Sequence, residues 1–113
     1  MFGFDEKVEL KKTPTQEICD YVKKMIELID STANYDKVFY KKLVSLFDNA
    51  DKIVKNLSYT EQGKINTYWS SLTMLLKQSF PMFYSMGSLM KSSIDMNVPN
   101  IRTWCLGILG QIS

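Results

Sequence analysis

The sequence predicts an all-α protein: a single compact bundle of four to five helices with a short extended N-terminal arm. Three observations carry that prediction. Apolar residues recur every three to four positions, the helical period, rather than alternating as in strands. Two helix-start signatures, Thr13-Pro14-Thr15-Gln16 and Ser58-Tyr59-Thr60-Glu61, stand directly before such stretches. The connections between stretches are short, which favours antiparallel neighbours. The chain has 113 residues, enough to bury about 65% of its unfolded surface in one core without disulfide or metal staples.

Residues 1–12 read as the arm and residues 13–113 as the helical bundle domain. Phe2, Phe4, Val8 and Leu10 fall at even spacing, as in a short extended segment. Such a segment packs across the bundle or docks on a partner. The first helix is expected over 14–31. Thr13 caps it, Pro14 suits the first helical position and Gln16 completes a capping box. Ile18, Val22, Met25, Ile26 and Ile29 form its apolar stripe, flanked by Tyr21 and Leu28. The second helix is expected over 35–57 with Asn34 as cap and a core face of Val38, Phe39, Leu43, Leu46, Phe47, Ala50, Ile53, Val54 and Leu57. At roughly 34 Å it is long for a small domain, and a break near Asp48–Asn49 is expected.

The third helix opens on the capping box of Ser58 and Glu61 and carries Ile65, Tyr68, Trp69, Leu72, Leu75, Leu76 and Phe80 on one face. Met74 points away from that face. Pro81 is expected to end or kink the helix, because it lacks an N–H and clashes with the preceding turn. A fourth helix over 82–96 places Met82, Phe83, Met86, Leu89 and Met90 on one broad face, with Tyr84 on its polar side. Residues 97–100, with Pro99, read as a break. A fifth helix over 100–111 carries Ile101, Trp104, Cys105, Ile108, Leu109 and, just beyond it, Ile112. Gly107 and Gly110 weaken it by about 1 kcal/mol each and permit close helix contact.

Composition argues against catalysis. Histidine is absent. With it go the side chain that titrates nearest neutrality and the commonest transition-metal ligand. Ser-His and Cys-His nucleophile pairs go too. The expectation is a non-enzymatic protein with no cofactor and no metal. Ser88 and Lys91 form an SxxK pattern, but the companion motifs of serine acylases are missing. Cys19 and Cys105 are far apart in sequence and read as two buried thiols in a reducing compartment, with a disulfide between them left open. No secretory leader and no membrane span is read: the longest uncharged runs are 12, 13 and 11 residues, short of the roughly 18–20 that a span needs. A cytoplasmic location is therefore expected. Thirteen of the 14 basic residues are lysine, a bias of AT-rich genomes such as those of many phages and viruses.

Charge is unevenly placed. Residues 1–57 hold 20 of the 26 charged residues, and residues 58–113 only six. A charge-poor half fits helices at the centre of the bundle, and it fits equally a surface covered by a partner, since interface cores are depleted in charge and enriched in methionine and aromatics. The expected function is a protein-interaction module, an adaptor, inhibitor or assembly subunit. It would bind a protein partner or a second copy through the charge-poor half, with Met74, Met82, Tyr84, Met86 and Met90 as contacts. Met82, Met86 and Met90 fall at i, i+4 and i+8, and flexible methionines suit adaptable surfaces; a methionine stripe at this spacing is more often core filler. The alternative is a nucleic-acid-associated module. Lys37, Lys41, Lys52 and Lys55 fall within about 60° on one helix wheel and would track a phosphate backbone. Asp48 inside that stripe and the net charge of only +2 weigh against it.

Overall fold

The structure, a computed structural model, describes residues 12–112; all of the expected arm except Lys12 lies outside them. Helix α1 spans Pro14–Ser31. The expected capping box is present: the Gln16 backbone N–H donates to the Thr13 hydroxyl at 3.2 Å, and the Thr13 N–H donates to the Gln16 side-chain oxygen at 2.9 Å. Ile18, Cys19, Val22, Met25 and Ile29 are buried along one stripe, with Ile26 at its edge. At the far end the Thr32 hydroxyl donates to the Leu28 carbonyl at 2.6 Å, closing the last turn.

Helix α2 spans Lys37–Val54. Asp36, not Asn34, is its cap: its carboxylate accepts from the Phe39 N–H at 2.9 Å. Moving the start by two residues lets the Tyr35 ring sit 4.7 Å from that of Phe39. Val38 is rotated about 100° from Phe39 and stands in solvent, not in the expected core. The expected break at Asp48–Asn49 is absent. Phe47 and Ala50 are both buried there, so the apolar stripe runs on without a gap, and Asp48 is paired outside it with Lys77 at 2.6 Å. The helix ends at Val54; Lys55 to Leu57 form a turn that still buries Leu57.

Helix α3 spans Tyr59–Met74. Ser58 caps it, but the box is only half made: the Glu61 carboxylate accepts from the Ser58 hydroxyl rather than from the backbone. The helix does not end at Pro81. Its register widens to a π turn over Leu75–Ser79 and continues as α4, Phe80–Ser85. The Phe80 N–H reaches back five residues to Leu75, and Pro81 has no N–H to offer. The buried Leu76 carbonyl is thereby left without a backbone donor, and the Tyr40 hydroxyl of α2 donates to it instead. π turns arise where a helix must absorb such an offset.

The true break comes at Met86. Gly87 takes φ +66°, a left-handed conformation that favours glycine, and a 3₁₀ turn covers Gly87–Met90. Helix α5 then runs from Lys91 to Ile112, straight through Pro99. This corrects the expected break at 97–100. Pro99 frees the Asp95 carbonyl, and both residues are exposed, where solvent can reach them at little cost. Val98 and Ile101 are fully buried on either side of the proline and hold the helix on the core.

Helix α1 packs against α2 and α5, and α5 packs against α3. Aromatic rings close the remaining side, between α2 and the α3–α4 rod. Phe47 stacks on Trp69 at 4.8 Å, and Tyr40 lies 5.9 Å from Phe80. The Trp69 indole N–H donates to Asp51 at 2.8 Å. Among the described residues there are no strands, and the fold is an all-α bundle.

The two glycines of α5 differ. A Cβ on Gly107 would stand 2.7 Å from the Tyr68 ring, whereas one on Gly110 would meet nothing within 4 Å. Gly110→Ala is expected to stabilise the protein by about 1 kcal/mol through helix propensity. Gly107→Ala should fall short of that gain by at least about 1 kcal/mol, the cost of displacing the ring. Urea unfolding of the two variants measures the difference. Equal gains would mean that α3 and α5 do not need the close approach.

Candidate functional site

The corner where α4 gives way to the 3₁₀ turn is the main concentration of exposed apolar side chains among the described residues. Met82 is 53% exposed, Met86 47% and Leu89 80%, all within a stretch, 78–90, that contains no charged residue. The local sequence explains why. Pro81 is the second residue of the six-residue α4, which sets Phe80, Phe83 and Tyr84 on the inner side. That leaves Met82 and Met86, four residues apart, on the outer side. Gly87 then reverses the chain and turns Leu89 outward. Helical spacing puts Leu89 on one broad face with Met82, Phe83, Met86 and Met90; Gly87 is the signal that this face stops.

The five expected contact residues therefore separate. Met82 and Met86 share the corner. Met90 lies beyond the break and is half-buried, so the i, i+4, i+8 stripe does not exist as one face. Met74 is exposed on α3, as its position on the helix wheel implied. Tyr84 is not on a polar side. It is half-buried, its ring 4.7 Å from Tyr40 and 6.0 Å from Phe80, and its hydroxyl donates to the Tyr35 carbonyl at 3.0 Å. Burial pushes its pKa well above the ordinary tyrosine value, so the hydroxyl stays a donor. Tyr84 supports the corner from below.

Lys37, Lys41, Lys52 and Lys55 are all exposed on α2. They do not form an unbroken basic stripe. Lys55 pairs with Asp51 at 3.0 Å, and the Asp48–Lys77 pair lies between Lys41 and Lys52. Lys41 instead belongs to a cluster with Lys42 and Lys24 across the α1–α2 groove.

Ser88 and Lys91 do line one cleft of about 280 Å³, together with Asp36, Lys37 and Tyr84. The Lys91 ammonium donates to Asn34 at 3.3 Å and pairs with Asp95 at 3.4 Å. Its hydrogen bonds go to Asn34 and Asp95, and among the described residues none joins it to the Ser88 hydroxyl. Cys19 and Cys105 are free and buried, which decides against the disulfide. Burial raises both thiol pKa values, that of Cys105 to about 12. Among the described residues no group of three potential metal ligands comes together, and no helix is long and apolar enough to cross a membrane. Comparison of the chain with protein-family models, with curated proteins and with solved structures finds no match.

Proposed function

We propose that this chain is a non-enzymatic protein-interaction module, an adaptor, inhibitor or assembly subunit, that binds a protein partner or a second copy through the Met82–Met86–Leu89 corner. One observation carries the reading: three large apolar side chains stand in solvent at a single turn, inside 13 uncharged residues. Removing such side chains from water is the main driving force of association, and unbranched methionine adapts to its counterpart. Interfaces of this kind have an uncharged centre and a polar rim; here Lys77 and Lys91 bound the stretch in sequence. The two free thiols accord with a reducing, cytoplasmic setting.

The test is the double variant Met82→Lys/Met86→Lys. Both side chains are about half exposed, so the circular dichroism spectrum should be unchanged. Self-association in the ultracentrifuge, or retention of a stoichiometric partner in a nuclease-treated pull-down, should weaken at least about tenfold. A variant that assembles as the parent does would sink the reading. The alternative, a nucleic-acid-associated module, draws on Lys37, Lys41 and Lys52, which are in no ion pair among the described residues. Its mark would be material lost on nuclease treatment.

A further inference from the structure

A second surface lies between α1 and α2, apart from the methionine corner. It is a groove of about 580 Å³, open to solvent along its length. Leu28 and Leu46, both half-buried, supply apolar lining, and Lys24, Lys41 and Lys42 bring positive charge to it against the single acid Glu27. Five cations elsewhere are matched, Lys12 with Asp20, Lys55 with Asp51, Lys77 with Asp48, Lys91 with Asp95 and Arg102 with Asp30, while Lys23, Lys37, Lys52 and Lys64 stand singly outside the groove, in no ion pair among the described residues. The three groove lysines are in no ion pair among the described residues; the Lys24 ammonium only overhangs the Tyr21 ring of its own helix, at 5.7 Å.

We propose that this groove binds an acidic amphipathic helix of a protein partner. The shape selects a helix. Small-molecule sites enclose about 70–90% of their ligand, and a groove this open cannot. An occupant must bring its own outer wall, and a third helix lying along two packed helices does so, with residues at i, i+3, i+4 and i+7 set on Leu28 and Leu46. The charge selects acids. Unpaired lysines beside an apolar lining complement Asp and Glu on both sides of such a stripe. With two lysines on α2 and Lys24 beside Glu27 on α1, the partner's acids concentrate on the α2 side. Nucleic acid fits less well: Leu28 and Leu46 offer no ring for base stacking, and Glu27 faces the phosphates.

The experiment uses the full chain, labelled with ¹⁵N, and two synthetic peptides of about 15 residues, a length at which isolated helices begin to form. Both carry leucine at i, i+3, i+4 and i+7; one has glutamate at the remaining polar positions and the other lysine. The acidic peptide should bind with Kd below about 1 mM. It should shift the amide resonances of Leu28, Lys41, Lys42 and Leu46, and weaken as salt is raised. The basic peptide should bind at least about tenfold more weakly, and Lys41→Glu/Lys42→Glu, both exposed positions, should invert that order. The Met82→Lys/Met86→Lys variant should bind the acidic peptide unchanged, which keeps this proposal separable from the corner reading. Equal binding of the two peptides overturns it. So does absence of acidic-peptide binding up to that concentration, or a footprint elsewhere. An oligothymidylate that shifts the same resonances more strongly than the acidic peptide also overturns it, and favours nucleic acid.

Discussion

Phe80→Ala is expected to destabilise the protein by about 3–5 kcal/mol, the range for deleting a fully buried phenylalanine. Phe80 has no solvent exposure. It stands first in α4, with Tyr40 of α2 at 5.9 Å, Phe83 at 5.8 Å and Tyr84 at 6.0 Å around it. These rings bridge the side of the bundle where α2 and the α3–α4 rod do not approach closely by backbone. A cavity there cannot be closed by a small helix shift, because the Tyr40 hydroxyl and the Asp51–Trp69 hydrogen bond hold the separation. Domains of this size have total stabilities of about 5–15 kcal/mol. With a urea slope of about 1–3 kcal/mol/M, the unfolding midpoint should fall by roughly 2 M. Phe80→Leu, which conserves most of the volume, should lose less than about 1.5 kcal/mol. If the alanine variant loses under about 1 kcal/mol, the ring cluster does not close the bundle.

The same segment shows where the sequence was legible and where it was not. Long periodic stretches with side-chain caps read correctly: α1 from Thr13 to Ser31, and the face from Ile65 to Phe80 that runs from α3 through the π turn into α4. Each rule there acts within one turn, so no distant contact is needed. The errors come where a local rule competes with tertiary packing. Pro81 and Pro99 both signal helix ends, yet the chain stays helical through both. In each case buried neighbours, Leu76 and Phe80 or Val98 and Ile101, bind the segment to the core more strongly than one lost hydrogen bond releases it. The real break was set by Gly87, whose need for a left-handed backbone carries no periodic signature. The candidate contacts inherited that error. Met82 and Met86 survive as an exposed pair and Leu89 joins them; Met90 leaves the stripe because it stops at the glycine, and Tyr84, expected on the polar side, is held half-buried by Tyr40, Phe80 and the Tyr35 carbonyl. The α1–α2 groove was not legible at all: Lys24 lies on one helix and Lys41 and Lys42 on the next, and only their packing brings the three together.

The Tyr40 hydroxyl should prove coupled to Pro81, although the two sit on different helices. Leu76 is fully buried, and its carbonyl has lost both helical donors: the Phe80 N–H bonds Leu75, and residue 81 is a proline. Tyr40 supplies the missing donor from α2. Tyr40→Phe keeps the ring against Phe80 and Tyr84 but leaves the carbonyl bare. A buried acceptor without a partner costs about 1–3 kcal/mol, so that is the expected loss. Pro81→Ala alone removes the ring constraint and adds an N–H that Leu76 can accept in π register, or Lys77 in α register. In the Pro81→Ala background the Tyr40→Phe loss should therefore shrink by about 1 kcal/mol or more. The double-mutant cycle, read from urea unfolding, gives that coupling directly. Strict additivity would show that the Leu76 carbonyl is satisfied some other way, and that the hydroxyl contributes no more than an ordinary exposed hydrogen bond. Strong coupling would show that the π turn, the proline and the tyrosine form one device: a helix that carries its register offset past a proline because the neighbouring helix provides the donor the backbone lacks.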